Sequence, residues 1–351
     1  MSFAVESDAR LAFDVGGPAN ELPLRGVAGM GSQVAPYLLP PHPWEFLLAA
    51  GRATAAIFSP ARVLFDVSSH WAIARWFWAL DWSSTNVRLG PKADEIRNHH
   101  RIAFSEAMGL AAGLLLVEHI AGDALPHGLS RGGPMIVDVD SYVSNGERPD
   151  LLILFGKPNL DTYVLEAKGN SSGRAYSLNQ LKRGIKQVLA APGKAQRLVV
   201  SAAASGTELN VHAVSVVGGR TEVEEDLPVV SPREALAMEL SRLASFAGAP
   251  PLSDEEGTTF PIPELDVDLV GRQLTLPIEN FTAVVTMGVN REVLGLLPEV
   301  ASLGDLAEMR SDVSGNRRLS TGDPGESAPL TEVGRAATMG SDGCALVVEL
   351  R

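Results

Sequence analysis

The chain has 351 residues, 45% of them hydrophobic, with 29 Lys and Arg against 42 Asp and Glu and a formal charge of −13. That length allows one large or two ordinary domains with a sizeable core, and the single cysteine, Cys344, excludes an intrachain disulfide and a thiolate metal cluster. The acidity argues against a phosphate-rich partner, yet Lys157 to Arg197 holds eight basic and two acidic residues, while Leu198 to Val313 holds 19 acidic residues, 6 arginines and no lysine.

Residues 1–60 are punctuated by Gly16-Gly17-Pro18, Pro40-Pro41 and Pro43, and an apolar helical run extends from Pro43 to Phe58. Arg62 to Val67 reads as a strand. All five tryptophans lie between Trp44 and Trp82. A helix over His70–Trp82 would align Trp71, Trp78 and Trp82 in one stripe, read as a packing or dimer face, with an aromatic wedge against DNA bases as the alternative. Pro91 to Gly122 is the longest helical pattern. On it Glu106 shares a face with Leu110, Val117 and Ile120, and with Gly109 and Gly113, which leave room for another backbone. A carboxylate on an apolar face is costly unless paired or metal-bound, so Glu106 is predicted buried, and Glu118, off that stripe, solvated.

Pro134 to Val143 reads as a strand carrying Asp138 and Asp140, followed by the turn Ser144-Asn145-Gly146. A hairpin comes next, from Pro149 to Lys168, with Gly156-Lys157-Pro158-Asn159 as its turn. Side chains alternate on its second strand, so Val164, Glu166 and Lys168 face one way and Tyr163, Leu165 and Ala167 the other. Asp150 opens the first strand and meets them across the hairpin. Ser177 to Leu189 is an amphipathic helix, and Gln196–Ala203 and Glu208–Val217 are strands. Helix, three strands, helix and two strands make an α/β core of about 130 residues.

Beyond Gly218-Gly219 the composition turns acidic. Ser231-Pro232-Arg233-Glu234 is a capping box opening a helix to Ala247. Strands are expected around Gln273–Leu276 and Ala283–Met287, a helix from Asn290 to Met309, a Gly/Ser-rich and partly unordered stretch from Ser311 to Asp342, and a last strand ending at Leu350. The divisions are 1–90, rich in Trp and Pro; 91–218, the α/β core; and 219–351, an acidic α+β region. No basic-then-apolar leader and no apolar run of about 20 residues is present, so the chain reads as soluble and cytoplasmic, without a membrane partner.

Two carboxylates and a lysine on one sheet edge can hold a divalent cation and activate a water. The spacing Pro149-Asp150, then Glu166-Ala167-Lys168, resembles the PD-(D/E)xK nuclease superfamily, which includes restriction endonucleases and the RecB and lambda exonuclease families. The resemblance covers Glu106 to Val200 and implies a restriction-endonuclease-like core, a mixed sheet flanked by helices. It implies that Asp150 and Glu166 hold Mg²⁺, or Mn²⁺ in its place, with Glu106 as a further ligand. Lys168 would orient or deprotonate the attacking water, and Gln180 would match the glutamine of the RecB-like branch. Implied too is a DNA endonuclease acting in antiviral defence or repair, with Arg174, Lys182, Arg183 and Lys186 on the backbone of the DNA.

Bland alternatives stand beside these. Glu166 and Lys168 form a solvated strand pair if the strand is exposed, and Ser177 with Gln180 is itself a capping box. His99 and His100 point about 100° apart on a helix and make a poor metal pair. From another class, the chain is a catalytically inactive nuclease-like scaffold or binding module within a larger complex, with a homodimer or partner protein held through the Trp-rich N-terminal region.

Overall fold

The computed structural model describes residues 42–56, 68–83, 87–96, 98–123, 133–139, 149–155, 161–170, 174–190, 195–205, 208–216, 232–247, 258–278, 281–302, 304–306, 308–310 and 334–351. The chain is mixed α/β, with two five-stranded sheets and helices packed on them. Helices α1 (Pro43–Ala56), α2 (Ser68–Phe77) and α3 (Asn98–Asp123) precede strands β1 (Met135–Asp138), β2 (Leu151–Phe155) and β3 (Asp161–Asn170). Helix α4 (Arg174–Ala190) crosses over to β4 (Gln196–Ser205), and β5 (Glu208–Val216) closes the first sheet. Its order is β1-β2-β3-β4-β5, antiparallel except for the β3–β4 pair, which is parallel because α4 carries the chain back to the starting edge.

All five residues of β2 are buried, as expected of a strand covered on both faces. Helix α3 lies on one face of the sheet, where a Cβ on Gly113 would meet the side chain of Leu165. Helix α4 lies on the other, where a Cβ on Gly184 would meet Val199 and Glu166. The faces therefore alternate along β3 as the sequence predicts. By composition α3 is apolar enough to cross a membrane over His100–Glu118, but it is packed against β3, β4 and α1, with most of that stretch buried.

Helix α5 (Pro232–Phe246) leads to the second sheet, whose strands are β6 (Thr258–Ile262), β7 (Val267–Ile278), β8 (Phe281–Asn290), β9 (Gly334–Met339) and β10 (Cys344–Leu350). This sheet is antiparallel throughout, in the order β6-β7-β8-β10-β9. Helices α1 and α5 contact strands of both sheets, and one continuous apolar core runs through the contact.

Several expectations need correction. The helical pattern from Pro91 is broken into a 3-10 turn, Pro91–Glu95, and α3. Helix α2 stops at Phe77, so no helical stripe reaches Trp82; that ring stacks on Phe77 and its Nε1–H donates to the Phe77 carbonyl at 2.9 Å. Trp44, Trp76 and Trp82 are buried in the chain's own core, which takes those three out of any outward-facing aromatic wedge. The helix expected from Asn290 to Met309 is interrupted: α6 (Arg291–Leu296), capped by the Asn290 side chain, is followed by the 3-10 turn Leu297–Glu299, and helical residues return at 304–306 and 308–310. Strand β9 falls inside the stretch expected to be unordered in part. The Arg62–Val67 strand, the hairpin turn at 156–159, the 144–146 turn, Asp140 and Ser231 lie outside the described residues.

Glu118 is half-buried and paired, not left to solvent alone. It receives Arg52 Nη1 and Nη2 at 3.1 and 2.8 Å, while Arg52 Nε donates to Asp342 at 2.9 Å. Asp342 also receives Arg242 at 2.7 Å, and Glu239 receives Arg242 and Arg310 as well as the Ile136 N–H at 3.2 Å. Three arginines and three carboxylates from distant parts of the chain thus neutralise one another in the core. Burial alone would raise the carboxyl of Asp342, but Arg52, Arg242 and Arg310 hold it well below the usual range. Glu239 is likewise held low, by Arg242 and Arg310. The Cys344 thiol beside them is pushed up to about 12, by burial and then by Asp342, so it stays a protonated, packed side chain.

Candidate active site

Strand β3 sets Glu166 opposite Val199 and Lys168 opposite Ser201 of β4. On its other side Leu165 pairs with Leu151, and one step further along β2 stands Asp150. The Asp150 N–H donates to the Leu165 carbonyl at 3.1 Å, and the Ala167 N–H donates to Asp150 Oδ2 at 2.7 Å. Backbone pairing thus fixes the Asp150 carboxylate against the strand that carries Glu166 and Lys168.

Glu166 is fully buried under α4; a Cβ on Gly184 would sit 3.0 Å from its Cγ. The Lys168 ammonium, with its side chain 27% exposed, forms an ion pair with Glu166 Oε1. Apart from that ion pair and a contact with the Asp150 backbone, neither carboxylate oxygen of Glu166 has a hydrogen-bond partner among the described residues. A strand pair on a solvated face would look different on both counts. Burial, and next the negative charge of Asp150, push the Glu166 carboxyl up to about 8 against the pull of Lys168. At Lys168 burial acts to lower the pKa, but Glu166, Asp150 and Glu106 together raise it above the ordinary value. One ammonium therefore feels all three of the carboxylates singled out in the sequence.

Glu106 is exposed, contrary to the expectation of burial. The apolar stripe is right further along the helix, where Leu110 and Val117 are buried. At Glu106, however, α3 lies over the end of β3, at Asn170, and touches that end through backbone. A Cβ on Gly109 would lie 2.6 Å from the Lys168 carbonyl, and one on Gly169 would lie 1.7 Å from the Ser105 carbonyl. The glycines admit the close approach, and Glu106 is left at the rim with solvent beside it.

Gln180 is not half of a capping box. Helix α4 starts at Arg174, upstream of Ser177, so Ser177 lies within the helix and its hydroxyl accepts from Asn170 Nδ2 at 2.8 Å. Gln180 Oε1 accepts from Asn170 Nδ2 and from the Ser201 hydroxyl, each at 2.9 Å, and its Nε2 donates to the Gly169 carbonyl at 2.9 Å. The glutamine therefore ties α4 to the end of β3, one residue beyond Lys168, and to the middle of β4. Sequence reasoning missed Asn170, Ser177 and Ser201; the polar run at the end of an otherwise apolar strand was the available signal.

Of the basic residues on α4, Arg183 and Lys186 are exposed and Lys182 is half-buried, while the side chain of Arg174 lies outside the described residues, as do those of Asp138 and His99. His100 is exposed and bonds to Arg75. Among the described residues, no three of His, Cys, Asp and Glu gather in a metal-binding arrangement, and Glu106 in its exposed position does not complete such a set. Mg²⁺ uses as few as one or two carboxylates and keeps several waters. A buried, under-bonded Glu166 beside Asp150 fits that smaller requirement.

Comparisons with family models, curated proteins and solved structures find no match to this chain.

Proposed function

We propose that the chain is a metal-dependent nuclease that hydrolyses phosphodiester bonds in DNA, built on a restriction-endonuclease-like core from α3 to β4. The observation that carries the reading is the Glu166 carboxylate, buried and under-bonded among the described residues, with its ion pair and a contact with the Asp150 backbone, next to Asp150 at the start of the neighbouring strand. Leaving such a group under-bonded costs stability, and a divalent cation held by Glu166 and Asp150 would offset that cost. Bound there, Mg²⁺ or Mn²⁺ would lower the pKa of a water and offset charge on a phosphoryl oxygen. Lys168 is kept protonated by its three carboxylate neighbours, which supports a role in orienting the water and countering charge rather than in taking its proton. Exposed Glu106 adds to the negative charge around the Lys168 ammonium, and Gln180 holds the strand end that presents Lys168.

A second reading has its own observation in favour. The Lys168–Glu166 ion pair already satisfies part of the buried charge, as it would in a nuclease-like scaffold that has lost its chemistry. Plasmid nicking in Mg²⁺ or Mn²⁺ separates the two. The nuclease reading expects cutting that falls by about a hundredfold or more in Lys168→Ala and Asp150→Ala, the scale of losing one electrostatic stabiliser. Inert wild type on single- and double-stranded DNA and on RNA, or variants that cut as well as wild type, would exclude it.

A further inference from the structure

Among the described residues three large apolar side chains are exposed, and two of them, Ile102 at 63% and Tyr176 at 45%, stand at the end of β3 that carries Lys168. Ile102 lies one turn before Glu106 on α3, the helix whose Ser105 touches Gly169. Tyr176 precedes Ser177, whose hydroxyl receives Asn170, the last residue of β3. The two residues therefore stand on the helices that cover opposite faces of the sheet, both near the end of β3 that follows Lys168.

Tyr176 also begins a stripe. Among the described side chains of α4, Tyr176, Asn179, Arg183 and Lys186 are the exposed ones, and at helical spacing they fall on one side, while Ser177, Leu181, Gly184, Ile185 and Val188 face the sheet. The stripe runs about 15 Å along the helix axis from Tyr176 to Lys186. It holds an aromatic ring, an amide and two cations, and α4 contains no acidic residue.

We propose that this face of α4 is a track for single-stranded nucleic acid, with Tyr176 stacking on an unpaired base at the site and Arg183 and Lys186 meeting phosphates further along. The inference rests on the nuclease reading for where the scissile bond would lie, and it adds the strand type. A ring needs the open face of a base, which a single strand or a frayed end supplies and a closed duplex does not. The two cations give the charge complementarity, independent of base sequence. Lys182, half-buried beside the stripe, extends the positive field without lying on the track.

The test is binding of the full chain, in chelator so that nothing is cut, to labelled oligodeoxythymidine, to oligouridine and to a DNA duplex. Tyr176→Ala should weaken single-strand binding about tenfold, the loss expected of one stacked base, and leave duplex binding unchanged. Tyr176→Phe should bind like wild type, since the ring and not the hydroxyl does the stacking. Arg183→Ala and Lys186→Ala should each lower the salt dependence by about one phosphate's worth. The two homopolymers tell DNA from RNA. No single-strand binding by wild type, equal losses on single strand and duplex, or a Tyr176→Phe loss matching that of Tyr176→Ala would each overturn the proposal. This pattern in a chain that cuts nothing would sink the nuclease reading alone, whereas unchanged single-strand affinity of Tyr176→Ala in a chain that cuts would sink this one alone.

Discussion

Glu166→Gln replaces the buried carboxyl with a neutral group of nearly the same shape, and its effect should depend on pH in a defined direction. In the folded protein the carboxyl titrates at about 8, chiefly through burial; in the unfolded chain it titrates near about 4.3. A folded value above the unfolded one means that the native state keeps the proton longer. The stability linked to that proton is complete below the unfolded value and is lost as pH rises through the folded value. Wild type should therefore fall behind the Glu166→Gln protein by about 1.4 kcal/mol for each pH unit above roughly 4.5, levelling off near about pH 8. The accumulated difference is several kcal/mol. Denaturant unfolding of both proteins in chelator at about pH 5, 7 and 9 measures it, with the slope rather than the offset as the readout. A difference that stays flat across that range would refute the reasoning, because Glu166 would then be ionised, and solvated, like any surface glutamate. A divalent cation must displace the same proton, so Mg²⁺ or Mn²⁺ added above neutral pH should restore stability to wild type and not to the variant.

Two further substitutions test how the site is held. Asp342→Asn leaves three buried arginines with two carboxylates and should cost about 3–5 kcal/mol at neutral pH. Because Asp342 is held below the usual range, its contribution is present at neutral pH and fades as pH falls below about 4, so the two proteins should converge in acid; a gap unchanged between neutral and acid pH would contradict this. Gly169→Ala places a Cβ 1.7 Å from the Ser105 carbonyl, backbone against backbone, and should cost at least about 1–3 kcal/mol as α3 is pushed off the sheet. An unchanged melting temperature would show that the close approach is dispensable.

The order of elements around the site could be read from the sequence because its strands are buried on both faces and its helices are amphipathic. Leu151 to Phe155 is an unbroken apolar run, and the alternation from Tyr163 to Lys168 fixed which side chains share a face. What escaped depended on where elements stop. A helical wheel shows that Glu106 points toward the sheet but not that β3 ends beneath it, and the Trp82 expectation failed because α2 ends at Phe77. Ser177 and Gln180 have the spacing of a cap, and only the start at Arg174 shows that they serve the strand instead. Glu118 looked solvent-facing because its partner, Arg52, lies far away in the chain. Strand β6, short and interrupted by Pro261, gave no strand signal at all.

The acidic second half has a physical connection to the chemistry of the first. Helix α3 carries Glu106 at the site and Glu118 in the ion network, about 18 Å apart along one rigid axis. At one end its register is set by backbone contact between Ser105 and Gly169 and between Gly109 and Lys168. At the other it is set by Arg52, which also holds Asp342 in the turn before β10. Shifting α3 by even part of a turn would break the buried pair at Glu118 and open the contact at Gly169 together. The second sheet therefore helps to fix where Glu106 stands relative to Lys168. Loss of Asp342 should reach the site through that helix, as a change in the environment of Lys168, as well as through global stability.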